Sequence, residues 1–239
     1  MAASAGIGEE MEIPKRFQVL DGTALKLIAM ASMVLDHVGD NFFPDQVWMR
    51  VLGRIAMPIF AFCISEGYAH THDKTRYLTR MGIFALVSEV PFDLVTAGVP
   101  LEFSHQNIMF TFFWAILGLM LFERIAGEGA PKGRMAAGYI MLAVFIMTSV
   151  LLGLDYNMLG CGLIFMFYLL RERGILIATA AAAVFHMALR NVGIYWFGLL
   201  GFLPILSYNG QRGRGLKWLF YLFYPGHLLL IWLVRTMLG

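Results

Sequence analysis

Charge is what this sequence has least of. Only 14% of its 239 residues are charged, whereas a soluble domain carries about 25%. With 59% apolar residues, that shortfall excludes a soluble globular protein and predicts an integral membrane one. Cysteine is almost missing too. Cys63 and Cys161 both sit inside apolar runs, where they read as small hydrophobes and not as a disulfide framework or metal site. A net charge of +2 gives no reason to expect a nucleic-acid partner. Residues 1–16 lack the continuous apolar stretch of a cleaved signal peptide, so they are expected to be a flexible tail, with the first apolar segment kept as a helix. No internal repeat is visible, which weighs against an inverted-repeat transporter. The connections are too short for a soluble domain, so residues 17–239 read as one transmembrane domain.

What is present is a series of apolar segments. About nine approach the roughly 20 residues a membrane helix needs: 23–40, 47–69, 76–98, 106–125, 134–153, 156–170, 174–190, 192–208 and 216–238. The sixth, seventh and eighth are short enough to be re-entrant. Twenty Phe, sixteen Met and twenty-five Gly suit helices packed closely around irregular spaces. The predicted fold is therefore an all-α, polytopic membrane helix bundle. Placing the N-terminus inside puts thirteen basic residues on the cytoplasmic side, from Lys15 and Arg16 to Arg212, Arg214 and Lys217. Arg50, Arg190 and Arg235 alone would mark the outer ends. That asymmetry predicts a cytoplasmic N-terminus and an outer C-terminus, in the cell inner membrane.

The segment from Leu25 to His37 carries the strongest functional signal. A charge near the middle of a membrane helix costs roughly 2.5–3.5 kcal/mol, so such a residue needs a partner or a task. Lys26 and His37 are eleven positions apart, within about 20° of one helix face and about 16 Å along it. One face thus carries a cation towards one side of the bilayer and an imidazole towards the other.

Depth sorts the remaining polar groups. Asp36, His37, Arg50, Arg54, Asp93, His105, Gln106, Asn107, Asp155, Asn157, His186, Arg190 and Asn191 fall in the outer half. Glu89 and His227 lie nearer the midplane, and Lys26 and Glu66 lie in the cytoplasmic half. Many could be structural pairs, such as Arg54 with Asp93 or Glu89, and a lone His186 reads first as a packing histidine. Neighbouring residues on a helix diverge by about 100°, so Asp36 is expected to pair with Arg50 or Arg54 and not with His37. Pro58, Pro91, Pro204 and Pro225 each interrupt a helix and free a carbonyl. The loop from Tyr208 to Lys217 combines Gly210, Gly213 and Gly215 with Arg212, Arg214 and Lys217. It reads either as an ordinary basic loop or as a phosphate site at a helix N-terminus. Arg76 and Arg80 add two cations at the same surface.

Several strings resemble the TraX family: Leu20-Asp21-Gly22 through Lys26 to Asp36-His37, Gly53 to Phe62, Ser88 to Asp93, Gln106 to Thr111, Asp155-Tyr156-Asn157, and Tyr208 to Leu228. The family is named for a conjugation protein that acetylates F-type pilin subunits, and it is similar to transmembrane acyltransferases that use cytoplasmic acetyl-CoA. In several of those a basic residue precedes the essential histidine by eleven positions, as Lys26 precedes His37. Gly226 departs from the bulky residue usual after the final Tyr-Pro.

The expected activity is an acetyl-CoA-dependent acyltransferase. Arg212, Arg214, Lys217, Arg76 and Arg80 would hold the nucleotide of coenzyme A, with its pantetheine arm passing Lys26. His227 is placed with this cofactor group. His37 would act as general base, or as a nucleophile, on the amine or hydroxyl of a peptide, glycan or lipid acceptor. Arg54, Asn107 or Asn157 would stabilise the oxyanion, and Glu89, Asp93 and Asp36 would position. No metal is expected. A proton- or ion-coupled transporter using Lys26, His37, Glu89 and Asp93 as a relay is the alternative, and a haem protein ligated by two of His37, His186 and His227 is a third.

Overall fold

The computed structural model describes residues 13–190 and 193–238. Residues 1–12 of the expected tail, and Asn191, lie outside the described residues. Lys15–Phe17 forms one 3-10 turn. Ten α-helices follow: α1 Gly22–Phe42, α2 Val47–Gly53, α3 Ala56–Ala69, α4 Lys74–Thr96, α5 Ile108–Ala126, α6 Lys132–Leu151, α7 Asn157–Leu170, α8 Ile175–Leu189, α9 Phe202–Leu206 and α10 Lys217–Leu238. Across the described residues the fold is an all-helical bundle. Val47–Ala69, Ile108–Ala126, Lys132–Leu151 and Lys217–Leu238 are long and apolar enough to cross a membrane. At 21 and 23 residues, α1 and α4 have the length, but they carry more of the ionisable groups.

The helix starts follow from side-chain caps, which satisfy otherwise orphaned N–H groups. Asp21 accepts the Ala24 N–H at 2.7 Å, Asp73 that of Arg76 at 2.8 Å, and Asn107 that of Met109 at 2.9 Å. Two expected segments are not single helices. The segment 47–69 breaks at Arg54 and Ile55, between α2 and α3. Pro58 is the cause, because it cannot donate to the Arg54 carbonyl four residues back and its ring crowds that carbonyl. The Ser32 hydroxyl donates to the Leu52 carbonyl at 2.6 Å, steadying the break. The segment 192–208 is a 3-10 stretch, Gly193–Gly201, running into the short α9. It packs into the break: a side chain at Gly201 would meet the Ile55 carbonyl at 2.6 Å.

The core lies where α3, α5 and α7 meet, with Ile59, Ala61, Ile116, Leu119, Cys161, Leu163 and Ile164 fully buried. α1 packs on α2, α3 and α10, and α10 also lies along α4. α6 lies at the edge: it buries Gly138, Leu142, Phe145 and Ser149 and exposes Ile140, Val144, Met147 and Leu151. Its stripe at helical spacing faces protein, and its other side presents apolar surface fit for lipid.

Candidate functional site

α1 runs from Lys26 to His37 between two cavities, one at each end of the bundle. The first, about 540 Å³, is lined by His37, Asp36, Arg50, Arg54, His105, Asp155, Tyr156 and Arg235, among others. The second, about 360 Å³, is lined by Lys26, Arg80, Arg212, Lys217, Tyr77, Phe220 and Tyr221, with Cys63 and Glu66 beside them. Phe60 of α3 lines both.

His37 does not act alone. Its Nδ1 lies 2.9 Å from Nε2 of His227 on α10, and Nδ1 of His227 lies 2.8 Å from the Phe223 carbonyl. The two imidazoles are within 7° of parallel with centroids 5.0 Å apart, the arrangement of two rings bonded edge to edge. Phe223 stacks on His227 at 4.5 Å and fixes its plane. This chain of contacts sets the protons. A carbonyl only accepts, so His227 Nδ1 carries N–H, and its neutral Nε2 is then an acceptor. His37 must therefore donate from Nδ1, which leaves the lone pair on His37 Nε2. That is the tautomer a general base or nucleophile requires. The haem reading needs two of three histidines on opposite sides of an iron, yet His37 and His227 are bonded directly to each other.

Arg54 sits at the α2–α3 break and donates through Nη2 to both oxygens of Asp36, at 2.6 and 2.7 Å. The two side chains are only 8% and 11% exposed. A side chain at Gly53 would overlap the Asp36 carboxylate, so glycine is what lets α2 come this close to α1. Arg50 adds an ion pair to Asp36 at 3.4 Å and one to Asp40 at 2.6 Å. The sequence allowed Arg54 to pair with Asp93 or Glu89, or Asp36 to pair with Arg50 or Arg54, and the geometry is the second. The other terminal nitrogen of Arg54 reaches the Tyr156 hydroxyl at 3.4 Å, and its guanidinium lies over the Tyr195 ring at 5.3 Å. Tyr156 has φ +54°, a left-handed conformation that an ordinary residue keeps only when its surroundings enforce it. Next to it, burial raises the Asp155 carboxyl above the usual carboxylate range, against the pull of His105 at 3.8 Å.

Glu89, Asp93 and Asn107 do not line the His37 cavity. The Asn107 amide is committed: it donates to the Ala85 carbonyl at 2.9 Å and closely to Glu89, while its oxygen caps α5. Asp93 accepts the Glu102 N–H at 2.8 Å and ties down the 97–107 loop. These three lock α4 to α5, and Asn107 has no amide left for an oxyanion. Asn157 accepts the Met158 N–H at 2.7 Å through its side-chain oxygen and is absent from the lining of the His37 cavity. His186 bonds the Tyr195 carbonyl at 3.0 Å, pinning the 3-10 stretch, as a packing histidine would.

At the other end Lys26 sits over the Phe220 ring at 5.0 Å, and Arg80 reaches the Tyr221 hydroxyl at 3.5 Å. Of the six cations expected at the donor site, Lys26, Arg80, Arg212 and Lys217 line this cavity. Arg76 turns to Asp73 on the surface, and Arg214 contributes its carbonyl to the Thr23 hydroxyl at 2.8 Å. His227, expected with them, belongs to the opposite cavity through His37. Lys26 and His37 thus face separate spaces, and Glu89 and Asp93 of the expected relay line neither of them.

Sequence reasoning missed Phe223, Tyr156, Tyr195 and Phe60. It also missed Glu123, which accepts from Lys74 at 2.5 Å, from Tyr68 at 2.8 Å and closely from Tyr168, joining the ends of α3, α4, α5 and α7. Phe60, Tyr156 and Phe223 stand inside the strings that carry the family resemblance, and Pro58 marked the break near Phe60.

Comparison with known proteins agrees with the resemblance. The family model described as TraX protein matches residues 21–235. The chain is 27% identical over 237 residues to "Probable fimbrial assembly protein FimC, serogroup H1" of Dichelobacter nodosus, covering 87% of this chain and 92% of that one. It is 31% identical over 137 residues to "Protein TraX" of Escherichia coli K12, covering 57% of this chain and 50% of that protein. An uncharacterized protein of Rickettsia prowazekii shares 38% over 66 residues, 28% of this chain and 25% of its own. No solved structure matches the chain.

Proposed function

The chain belongs to the TraX family, and from that premise we propose that it is a membrane-embedded acyltransferase moving an acetyl group from coenzyme A to an amine or hydroxyl. The observation that carries this reading is His37: its bond to His227 leaves the lone pair on Nε2, and the residue lines a cavity roomy enough for an acceptor. In this reading the short segments count among nine spans and the basic loops face the cytoplasm of an inner-membrane protein. The Lys26 cavity then opens inward and the His37 cavity outward. The phosphates of acetyl-CoA rest on Arg212, Lys217 and Arg80, and the pantetheine arm enters past Lys26. The helix rise puts His37 about 16 Å from Lys26, a span such an arm can cover.

The acceptor nitrogen or oxygen donates its proton to His37 Nε2 as it attacks the thioester carbonyl. The C–S bond breaks, a C–N or C–O bond forms, and the proton on His37 passes to the departing thiolate, giving free coenzyme A. Arg54 and the Tyr156 hydroxyl face the cavity where the oxyanion would develop, and a preorganised donor there contributes about 2.7–4 kcal/mol in comparable sites. Asp36 orients Arg54. A relative named for fimbrial assembly favours a protein subunit as acceptor over a glycan or lipid.

The test is acetyl-CoA binding and transfer in purified protein. Acetyl-CoA at about one hundred times its Kd should stabilise the fold by about 2.7 kcal/mol, and His37→Ala should keep that shift while losing transfer. Arg212→Ala with Lys217→Ala should lose the shift. Transfer by His37→Ala at the wild-type rate would remove His37 from the chemistry.

A further inference from the structure

Among the described residues Phe60 is the one side chain common to the linings of the two cavities. It lies on α3, two residues after Pro58, on the segment that begins at the Arg54 break. Its own helix neighbours divide between the two spaces. Ala56 and Met57 line the His37 side, and Phe62, Cys63 and Ile64 line the Lys26 side. Phe112 of α5, also on the Lys26 side, sits against it with ring centroids 6.3 Å apart. Phe60 is only partly buried although it belongs to the middle of the bundle, because it has open space on either hand. Below and above it the walls are apolar: Met109 and Phe112 on one side, Met33, Met57 and Ile108 on the other.

We propose that Phe60 is the partition between the donor and acceptor cavities and the residue that sets acyl size. This rests on the acyltransferase reading for its second half. The reacting thioester must reach His37 past this ring, so the acyl carbon arrives in a slot bounded by Phe60, Met57 and Ile108. A two-carbon group passes such a slot, whereas a longer chain would have to displace packed side chains.

Two measurements separate the two halves. Both native cysteines are buried, so the reporter thiol is Glu66→Cys on the Lys26 cavity, in a Cys63→Ser, Cys161→Ser background. A membrane-impermeant methanethiosulfonate applied from the His37 side of sealed, uniformly oriented vesicles should modify that thiol slowly. With Phe60→Ala added it should do so at least about tenfold faster. Equal rates would overturn the partition whatever the enzyme does. Transfer from octanoyl-CoA relative to acetyl-CoA should rise by a similar factor in Phe60→Ala, and an unchanged ratio would overturn the size assignment. Wild-type protein that transfers from neither thioester would overturn the acyltransferase reading and the size assignment with it, while the labelling rates still decide the partition. Phe60→Leu keeps more of the packing and provides the same comparisons should the alanine variant not fold.

Discussion

The hydrogen bond from His37 to His227 makes a quantitative prediction. In His227→Ala the Nδ1–H of His37 loses its acceptor, and a buried donor left unpaired costs about 1–3 kcal/mol. His37 escapes that cost by moving its proton to Nε2 or turning its ring, and either change removes the lone pair from the cavity. The productive tautomer then has to be regained in every turnover. At about 1.36 kcal/mol per factor of ten, kcat should fall by roughly 5- to 150-fold. His227→Gln supplies a side-chain carbonyl that accepts but cannot titrate, and should recover most of that loss. Because His227 is absent from the lining of the Lys26 cavity, KM for acetyl-CoA should stay the same in both variants. The assay is steady-state transfer from labelled acetyl-CoA in detergent, with kcat and KM resolved separately. An unchanged kcat in His227→Ala would refute the tautomer argument. A raised KM with intact kcat would return His227 to the donor site.

The fold should tolerate loss of one partner of the buried Asp36–Arg54 pair less well than loss of both. Asp36→Asn leaves a desolvated guanidinium and should cost about 3–5 kcal/mol, whereas Asp36→Leu with Arg54→Met should recover much of it. Thermal melting of the single and double variants in detergent checks this, and additive losses would contradict it. Glu123→Gln should lower stability by about 0.5–1.5 kcal/mol while leaving kcat unchanged, since its carboxylate is partly exposed and lies with the helix ends. A lowered kcat with normal melting would instead tie that cluster to the reaction.

How much of this was legible in the sequence divides along a physical line. Spacing within one helix reports how far apart two residues lie along it. Lys26 and His37 do lie at opposite ends of one helix, facing different spaces. The angle around the helix axis was legible only where spacing within one helix decides it, as in the inference that Asp36 would turn to an arginine and not to His37. Glu89, Asp93 and Asn107 had the right depth for a site beside His37. Yet Glu89 and Asp93, one turn apart, face the start of α5 and its loop, where Asn107 and Glu102 meet them.

His227 shows the same limit from the other direction. Two sequence positions 190 apart meet because α10 returns alongside α1, and nothing within either helix encodes that pairing. Of the four prolines expected to interrupt helices, Pro91 and Pro225 sit inside the unbroken α4 and α10, whose neighbouring turns carry them through. Pro58 is the one that marked a local event needing no partner. Pro58 broke the second segment where the carbonyl of Arg54 would otherwise accept, and that break carries Arg54 towards Asp36. It also starts α3 afresh, which places Phe60 where the two cavities meet. A change that restored a continuous helix there, such as Pro58→Ala, acts on both features at once. It should loosen the Asp36–Arg54 pair and shift Phe60, lowering transfer even though residue 58 touches neither substrate.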